Sequence, residues 1–317
     1  QARCGIGGNM TLLFKCDHTD PEPWLAALAD QMPEREVRVF PELGAREDIE
    51  FALVYEPPPG LLASLPKLKA IFSLWAGADH LASDPELPPL PVVRMVERCM
   101  TASMTAHVVH QVLAFHVQAL DYRALEAERH WQQLDLTAPW DRRVGFLGLG
   151  SLGGDAAGKL AALRFDVAGW TRTPKEIAGI GCYHGSGGLS AFLARTDILV
   201  CLMPLTEATQ GILNRQLFDQ LPRGACVINC ARGGHLVETD LLAALDDGHL
   251  GAAALDVFAE EPLPDDHPFW GHPRIVVTPH IAAFSVAETA IESVVANIRR
   301  VEAGEPPLNV VDFTRGY

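Results

Sequence analysis

Residues 144–153 read VGFLGLGSLG, and this segment is the strongest indication of the fold. Their apolar start predicts a buried strand, and residues 154–163 carry a helical pattern directly after it. Between the two lies a GxGxxG motif, whose glycines allow a tight turn, close approach of the backbone to a pyrophosphate and close packing of helix on strand. The motif predicts a dinucleotide site at the start of the helix, formed by Gly148, Gly150, Ser151, Leu152 and Gly153. A glycine-rich turn that binds no ligand is the alternative interpretation.

Strand and helix patterns alternate on both sides of this motif. From the motif onward, six apolar strands are predicted, at 144–147, 166–170, 198–202, 226–229, 252–257 and 275–278. Shorter strands without a glycine motif precede them, at 11–15, 37–40, 51–55, 69–74 and 92–96. Such alternation is typical of parallel sheets covered by helices. We therefore predict an α/β protein of two Rossmann-like or flavodoxin-like parallel-sheet domains with a cleft between them.

Two helical patterns connect and close these series of strands. The pattern over residues 104–129 is longer than an average helix, so we predict one long helix that crosses between the domains. Near the end of the chain, Ser285 and Glu288 have the spacing of a capping box, which predicts a helix that reaches Glu302. Gly304 follows that helix and is expected to end it.

The length of the chain sets the domain organisation. At about 150 residues per domain, 317 residues leave room for two domains. We predict that residues 10–102 and 286–317 form a discontinuous substrate-binding domain, and that residues 103–285 form the dinucleotide-binding domain. The first residue is Gln, so residues 1–9, which precede Met10, are expected to be a remnant of cloning.

The composition of the chain excludes several classes of partner. The chain has 40 acidic and 25 basic side chains and a formal net charge of −15, whereas nucleic acids and anionic membranes require a basic face. No stretch of about 20 apolar residues is present, so no membrane span is predicted. The seven cysteines include no CxxC pair, which favours thiols in a reducing compartment over a zinc site. We expect a cytoplasmic protein without a metal site.

The residues after the strand at 166–170 indicate which dinucleotide is bound. An NAD enzyme usually has an acidic residue at this place for the ribose hydroxyls, but here residues 170–175 read WTRTPK. The planar guanidinium of Arg172 is suited to a phosphate, and Thr171 and Thr173 add hydroxyl groups. NADP is therefore predicted in preference to NAD. A solvated surface arginine is the alternative interpretation of Arg172.

Polar residues follow the last three strands, at the sheet edge where open α/β sheets bind ligands. They are Arg232, the pair Glu260–Glu261 and His280. Reduction of a ketone requires a hydride on carbon and a proton on oxygen, and histidine is the natural proton donor near neutral pH. A carboxylate beside it favours the imidazolium, and an arginine pairs with a substrate carboxylate. The arginine, the glutamates and the histidine together predict a reductase of 2-oxo acids. His235 is the alternative candidate for the proton donor.

Other residues at the same strand ends are predicted to contact the cofactor. Asp256 ends its strand, where it can reach the nicotinamide side. Further contacts are expected from the residues after two neighbouring strands, namely Leu202, Met203, Pro204, Cys230 and Ala231.

Four segments occur in a characteristic order: GFLGLGSLGG at 145–154, INCARGGHLVETDLLAAL at 228–245, ALDVFAEEPLP at 254–264 and VTPHIAA at 277–283. Together they resemble the D-isomer-specific 2-hydroxyacid dehydrogenases. LVYEPPP at 53–59, AGADH at 76–80 and WTRT at 170–173 resemble the glyoxylate/hydroxypyruvate reductase A branch of that family. The resemblance implies NADPH-dependent reduction of glyoxylate and hydroxypyruvate to 2-hydroxy acids, with catalytic residues Arg232, Glu261 and His280.

The resemblance also implies contacts that spacing alone does not give. Backbone amides of Ala76, Gly77 and Ala78 are expected to hold the substrate carboxylate. The long helix is expected to mediate a homodimer in which Trp131 reaches the neighbouring subunit's active site. The branch usually has a glycine where this chain has Trp75, so the indole is expected to reshape the substrate pocket.

A dinucleotide-sensing binding protein is the alternative function, because corepressors without turnover occur in the same family. The complete arginine, glutamate and histidine set argues against this alternative. We therefore expect an enzyme with a small 2-oxo or 2-hydroxy acid as its substrate and with no nucleic acid or membrane as a partner.

Overall fold

The computed structural model describes residues 11–313, and the chain divides into two compact units. Unit 1 takes the residues up to 100 and those from 285 onward, and unit 2 consists of residues 101–284. The expected cloning remnant, residues 1–9, lies outside the described residues. The substrate-binding and dinucleotide-binding roles of the two domains stay predictions.

Helices flank the strands of both units. Within residues 11–313 the α-helices are α1 (Glu22–Gln31), α2 (Asp79–Ala82), α3 (Arg98–His116), α4 (Ala119–Ala127), α5 (Ser151–Ala162), α6 (Gly185–Ala194), α7 (Arg215–Phe218), α8 (Glu238–Asp246) and α9 (Ala287–Glu302). None of them is long and apolar enough to span a bilayer. The cytoplasmic location of the protein stays a prediction.

Unit 1 is built on a five-stranded parallel sheet in the order β2-β1-β3-β4-β5. Its strands are β1 (Thr11–Lys15), β2 (Glu36–Val39), β3 (Ile49–Val54), β4 (Ala70–Ser73) and β5 (Val92–Val93). The central strands β1, β3 and β4 are almost entirely buried, as expected for parallel strands that are covered on both faces. Helices α1 and α9 of this unit pack against each other.

Unit 2 is built on a seven-stranded parallel sheet in the order β12-β11-β10-β9-β6-β7-β8. Its strands are β6 (Arg143–Leu147), β7 (Asp166–Thr171), β8 (Gly181–His184), β9 (Ile198–Cys201), β10 (Ala225–Asn229), β11 (Leu250–Leu255) and β12 (Ile275–Val277). The prediction of two parallel-sheet α/β domains is confirmed. Strand β8 was not predicted, because its residues Gly-Cys-Tyr-His contain no apolar run.

The strand order of unit 2 positions the ligand site. The chain proceeds from β6 to β7 and β8 on one side, and then returns to β9 on the other side of β6. Ligands of doubly wound sheets bind at such a reversal, beyond the carboxyl ends of the strands. The turn that begins at Gly148, directly after β6, therefore lies where a ligand is expected.

Two expectations about helices are wrong. The segment 104–129 forms two helices, α3 and α4, and not one. Gln118 separates them because its backbone adopts a left-handed φ of 55°. The side-chain amide of Gln118 donates to the Asp135 carbonyl at 2.5 Å. The capping box at Ser285 does not form. Helix α9 begins at Ala287 with Val286 at its N-cap, a residue whose side chain cannot accept a hydrogen bond from the first turn.

Candidate active site

The glycine motif forms a turn between β6 and α5 that excludes side chains at two positions. Gly148 has a φ of +99°, and a Cβ there would lie 2.8 Å from the carbonyl oxygen of Leu202. A Cβ at Gly153 would lie 2.2 Å from the carbonyl oxygen of Gly148. Around the Cβ position of Gly150, no described atom lies within 4 Å. The backbone is therefore open at Gly150, beside the first N–H groups of α5, and this arrangement fits a pyrophosphate.

The loop after β7 carries the residues predicted to select the cofactor. Arg172 and Thr173 are exposed, and the Thr171 hydroxyl donates to the Thr173 carbonyl at 2.7 Å. The Lys175 ammonium donates to the Leu149 carbonyl within the glycine turn. This contact ties the loop of Arg172 to the glycine turn, so that both elements belong to one site.

Asn229 at the end of β10 fixes the loop that carries Arg232. Asn229 is fully buried, its side-chain nitrogen donates to the Arg232 carbonyl at 3.0 Å, and its Oδ1 accepts from the Ala231 N–H at 3.2 Å. Nη1 of the half-buried Arg232 donates to the Ala231 carbonyl at 2.7 Å. Sequence reasoning missed Asn229, although a polar residue at the end of an otherwise apolar strand is a usable signal.

Gly233 brings the loop of Arg232 against the loop that follows β11. A Cβ at Gly233 would lie 1.8 Å from the carbonyl carbon of Phe258 and 2.4 Å from the nitrogen of Ala259. The two backbones therefore touch at a place that only glycine can occupy. The second loop continues to Glu261, so this contact brings the loops of Arg232 and Glu261 together.

His280 and Glu261 form a hydrogen-bonded pair. Nδ1 of His280 lies 2.7 Å from Oε2 of Glu261, and Oε1 of Glu261 accepts from the Phe258 N–H at 2.9 Å. The His280 side chain is 48% exposed, so its ring is accessible. With Nδ1 engaged by the carboxylate, Nε2 is the ring nitrogen that could exchange a proton with a bound molecule. Glu260 is an exposed neighbour in the same loop.

Asp256 holds the turn that carries His280. Asp256 is 1% exposed, and its carboxylate accepts from the Thr278 hydroxyl at 2.6 Å and from the N–H groups of Ile281 and Ala282, each at 2.9 Å. Its backbone carbonyl accepts from the His280 N–H at 2.8 Å. Sequence reasoning placed Asp256 near the nicotinamide and missed this positioning role, because the contacts join the ends of two different strands.

His235, the rival proton donor, is fully buried. Its Nδ1 lies 3.1 Å from the carbonyl oxygen of Arg232 and its Nε2 lies 3.2 Å from the carbonyl oxygen of Pro204. Both ring nitrogens thus face the backbone. This geometry favours His280 over His235 as the group that meets a substrate.

The remaining predicted cofactor contacts surround these loops. Leu202 continues β9 with a hydrogen bond from its N–H to the Leu147 carbonyl at 2.9 Å, and Met203 and Cys230 are buried. Burial raises the pKa of the Cys230 thiol well above its ordinary value, and the negative charge of Asp256 acts in the same direction. The thiol is therefore neutral near pH 7.

The predicted substrate-loop residues lie in unit 1, after β4. Trp75, Ala76 and Gly77 are half-buried, Ala78 is buried, and the Ser73 hydroxyl donates to the Gly77 carbonyl at 2.8 Å. In unit 2, Trp131 is 100% exposed. Among residues 11–313, no group of three or more His, Cys, Asp or Glu side chains is arranged to hold a metal ion.

Comparison with known proteins identifies the family. The model of the D-isomer specific 2-hydroxyacid dehydrogenase NAD binding domain matches residues 109–282. The glyoxylate/hydroxypyruvate reductases A of Yersinia enterocolitica and Serratia proteamaculans are 41% and 40% identical to this chain, over 97% of it and 100% of each relative. The chain therefore belongs to the D-isomer-specific 2-hydroxyacid dehydrogenase family, and the resemblance inferred from its motifs is confirmed.

Solved structures agree with this assignment. A D-isomer specific 2-hydroxyacid dehydrogenase from Xanthobacter autotrophicus Py2, in complex with NADPH and MES, has a TM-score of 0.95 at 40% identity and covers 98% of this chain and 100% of its own. An NADPH-dependent glyoxylate/hydroxypyruvate reductase from Sinorhizobium meliloti, in complex with NADP and sulfate, has a TM-score of 0.90 at 42% identity. The match covers 97% of this chain and 100% of the Sinorhizobium chain.

The contact at Gly233 predicts a specific loss of activity. In Gly233→Ala the added Cβ must push the loops of Arg232 and Glu261 apart, and a displacement near 1 Å costs about 100-fold in rate. We expect the catalytic efficiency, kcat/KM, to fall by that order when reduction of glyoxylate is assayed. Gly187→Ala, at an exposed helical glycine with no described atom within 4 Å of its Cβ position, is the matched control. Unchanged activity of folded Gly233→Ala would contradict the contact.

Proposed function

We propose that the chain is an NADPH-dependent reductase of small 2-oxo acids, with glyoxylate and hydroxypyruvate as substrates. The observation that carries the proposal is the His280–Glu261 pair, 2.7 Å apart at an accessible sheet edge and next to the loop of Arg232. Relatives that are 41% and 42% identical are named for these two substrates. The buried position of His235 supports His280 as the proton donor.

The residues of unit 2 fit NADPH. Gly148 and Gly153 leave room only for backbone, Gly150 is open, and Arg172 is exposed on a loop tied to the glycine turn. The guanidinium of Arg172 is suited to pair with the 2′-phosphate on the adenosine ribose, which NADPH has and NADH lacks. Two structural neighbours were solved with NADPH or NADP. When bound, NADPH supplies the hydride for the reduction.

The role of Arg172 is tested by reversing its charge. Arg172→Asp removes the partner of the ribose phosphate and adds repulsion, so we expect NADPH affinity to fall by at least about 30-fold, the scale of losing a charged hydrogen bond. NADH affinity should change little. Arg164→Asp, an exposed site at the opposite end of α5, is the control for net charge. Equal loss of NADPH and NADH affinity in calorimetric titrations would contradict the assignment.

The three polar side chains divide the chemistry between them. Nδ1–H of His280 donates to Glu261, and Nε2 gives its proton to the carbonyl oxygen as the keto carbon receives the hydride. The Glu261 carboxylate stabilises the imidazolium and orients the ring. Arg232 pairs with the substrate carboxylate and polarises the carbonyl. The product is a 2-hydroxy acid, and His280 is left neutral until it takes a proton from water.

The remaining contacts follow from the same assignment. Ala76, Gly77 and Ala78 offer backbone amides to the substrate carboxylate. We place Leu202, Met203, Pro204, Cys230 and Ala231 along the cofactor. We place Asp256 near the nicotinamide end of the cofactor, where its carboxylate also holds the turn that carries His280.

Removal of the imidazole tests this division of roles. His280→Ala should lower kcat by about 10²–10⁴-fold, the usual contribution of a general acid, and should leave NADPH affinity nearly unchanged. His110→Ala, at an exposed histidine of α3, is the control. Substantial turnover by His280→Ala would assign proton transfer to another group. Tight NADPH binding by the native chain without turnover of either acid would favour the dinucleotide-sensing alternative.

We also propose that the enzyme is a homodimer in which Trp131 contacts the partner subunit. The segment after α4 has no regular structure, and Trp131 within it is 100% exposed, although large apolar side chains are normally covered. Sedimentation equilibrium should give twice the chain mass of 34.4 kDa. Trp131→Ala should weaken the dimer, and a native monomer would contradict the proposal.

A further inference from the structure

The carboxyl edge of the unit 1 sheet carries a group of aromatic rings, here called the aromatic wall and defined as Tyr55, Trp75 and His80. Tyr55 directly follows β3, and Trp75 follows β4. The ring centroids of Tyr55 and Trp75 lie 6.1 Å apart, and those of Tyr55 and His80 lie 4.6 Å apart. All three side chains are half-buried, so the wall shows part of its surface at the edge where parallel sheets bind ligands.

The indole of Trp75 is held from two sides. Tyr55 meets it edge-on at an interplanar angle of 80°, and the buried Trp24 meets it at 86° with a centroid distance of 6.5 Å. Such edge-to-face contacts are favourable beyond the area they bury. The Trp75 carbonyl also accepts from the Met95 N–H at 3.2 Å. Both the ring and the backbone of Trp75 are therefore fixed.

A buried cation fixes the turn that carries Tyr55. Lys15 is 5% exposed, and its ammonium donates to the carbonyls of Tyr55 at 3.2 Å and Glu56 at 2.5 Å and to the carboxylate of Asp17 at 2.9 Å. This arrangement holds Tyr55 against Trp75. The wall is consequently rigid, because neither ring can move without breaking these contacts.

We propose that Trp75 limits the size of the substituent on the keto carbon, so that the enzyme takes 2-oxo acids with a hydrogen or a hydroxymethyl group there and rejects aromatic ones. The inference rests on the proposed function. Trp75 directly precedes Ala76, Gly77 and Ala78, the backbone to which the proposed function assigns the substrate carboxylate. A ligand held by that backbone meets the fixed indole as its large neighbour, and a ring that cannot move excludes a bulky substituent.

The test compares two substrates and two inert analogues. The catalytic efficiency, kcat/KM, is measured with glyoxylate and with phenylpyruvate. Calorimetry measures how tightly the enzyme–NADPH complex binds two inert analogues, oxamate and its N-phenyl derivative oxanilate. Trp75→Gly should raise the phenylpyruvate-to-glyoxylate ratio of kcat/KM by at least about tenfold, since pocket fit discriminates substrates by about 10–200-fold. The oxanilate-to-oxamate ratio of association constants should rise in parallel. Trp75→Leu is the second variant if thermal melting shows that Trp75→Gly is unfolded.

Trp140→Gly, the same substitution at an exposed tryptophan of unit 2, is the matched control and should leave both ratios unchanged. Ratios that stay within about threefold of the native values, or that fall because the indole stacks on aromatic substituents, would overturn the inference. If the native enzyme turns over neither acid, the proposed function fails, while the analogue ratio still decides the role of Trp75. Failure of the folded Trp75 variants to bind either analogue, while the native enzyme binds oxamate, would overturn the inference and leave the proposed function standing.

Discussion

The geometry of the site depends on the hydrogen bonds that the Asp256 carboxylate accepts from the turn of His280. Asp256 is buried at the end of β11 and its carboxylate accepts three hydrogen bonds from the turn over residues 278–282, while its backbone carbonyl accepts a fourth. The buried Ala282 N–H alone, left without this carboxylate, would cost about 1–3 kcal/mol of stability. The same turn holds His280 at a left-handed φ of 53°, a conformation that non-glycine residues keep only where surrounding contacts require it. The proposed proton donor, His280, is thus positioned by a buried carboxylate that need not touch the substrate.

A second constraint joins the loops of Arg232 and Glu261. The backbone of Gly233 lies so close to that of Phe258 that no side chain fits between them. Because the Phe258 N–H also donates to Glu261, a shift of the arginine loop moves the carboxylate that orients His280. The loops of Arg232, Glu261 and His280 are therefore mechanically linked, and such preorganisation is what the catalytic roles proposed for these residues require.

Much of this arrangement was predictable from local patterns. The apolar runs and the GxGxxG motif predict the parallel sheets and the turn at Gly148, because each signal lies within a few residues. The break at Gln118 was not predictable, since glutamine is a good helix former and no glycine or proline marks the site. The contacts of Asp256 and Gly233 join different strands, so spacing along the chain carries no information on them. The choice of Glu261 over Glu260 came from resemblance, and the structure places Glu261 on His280.

The glycine turn and the His280–Glu261 pair lie beyond strands of the unit 2 sheet, and we propose that this edge of the sheet carries out direct reduction of a 2-oxo acid by NADPH. The most direct test incubates the enzyme with glyoxylate and NADPH that carries deuterium in its transferable position at C4 of the nicotinamide. Mass spectrometry of the glycolate then gives its deuterium content. We expect one deuterium on the carbinol carbon for each NADPH consumed. Glycolate without deuterium, or tight NADPH binding with no glycolate formed, would contradict the proposal.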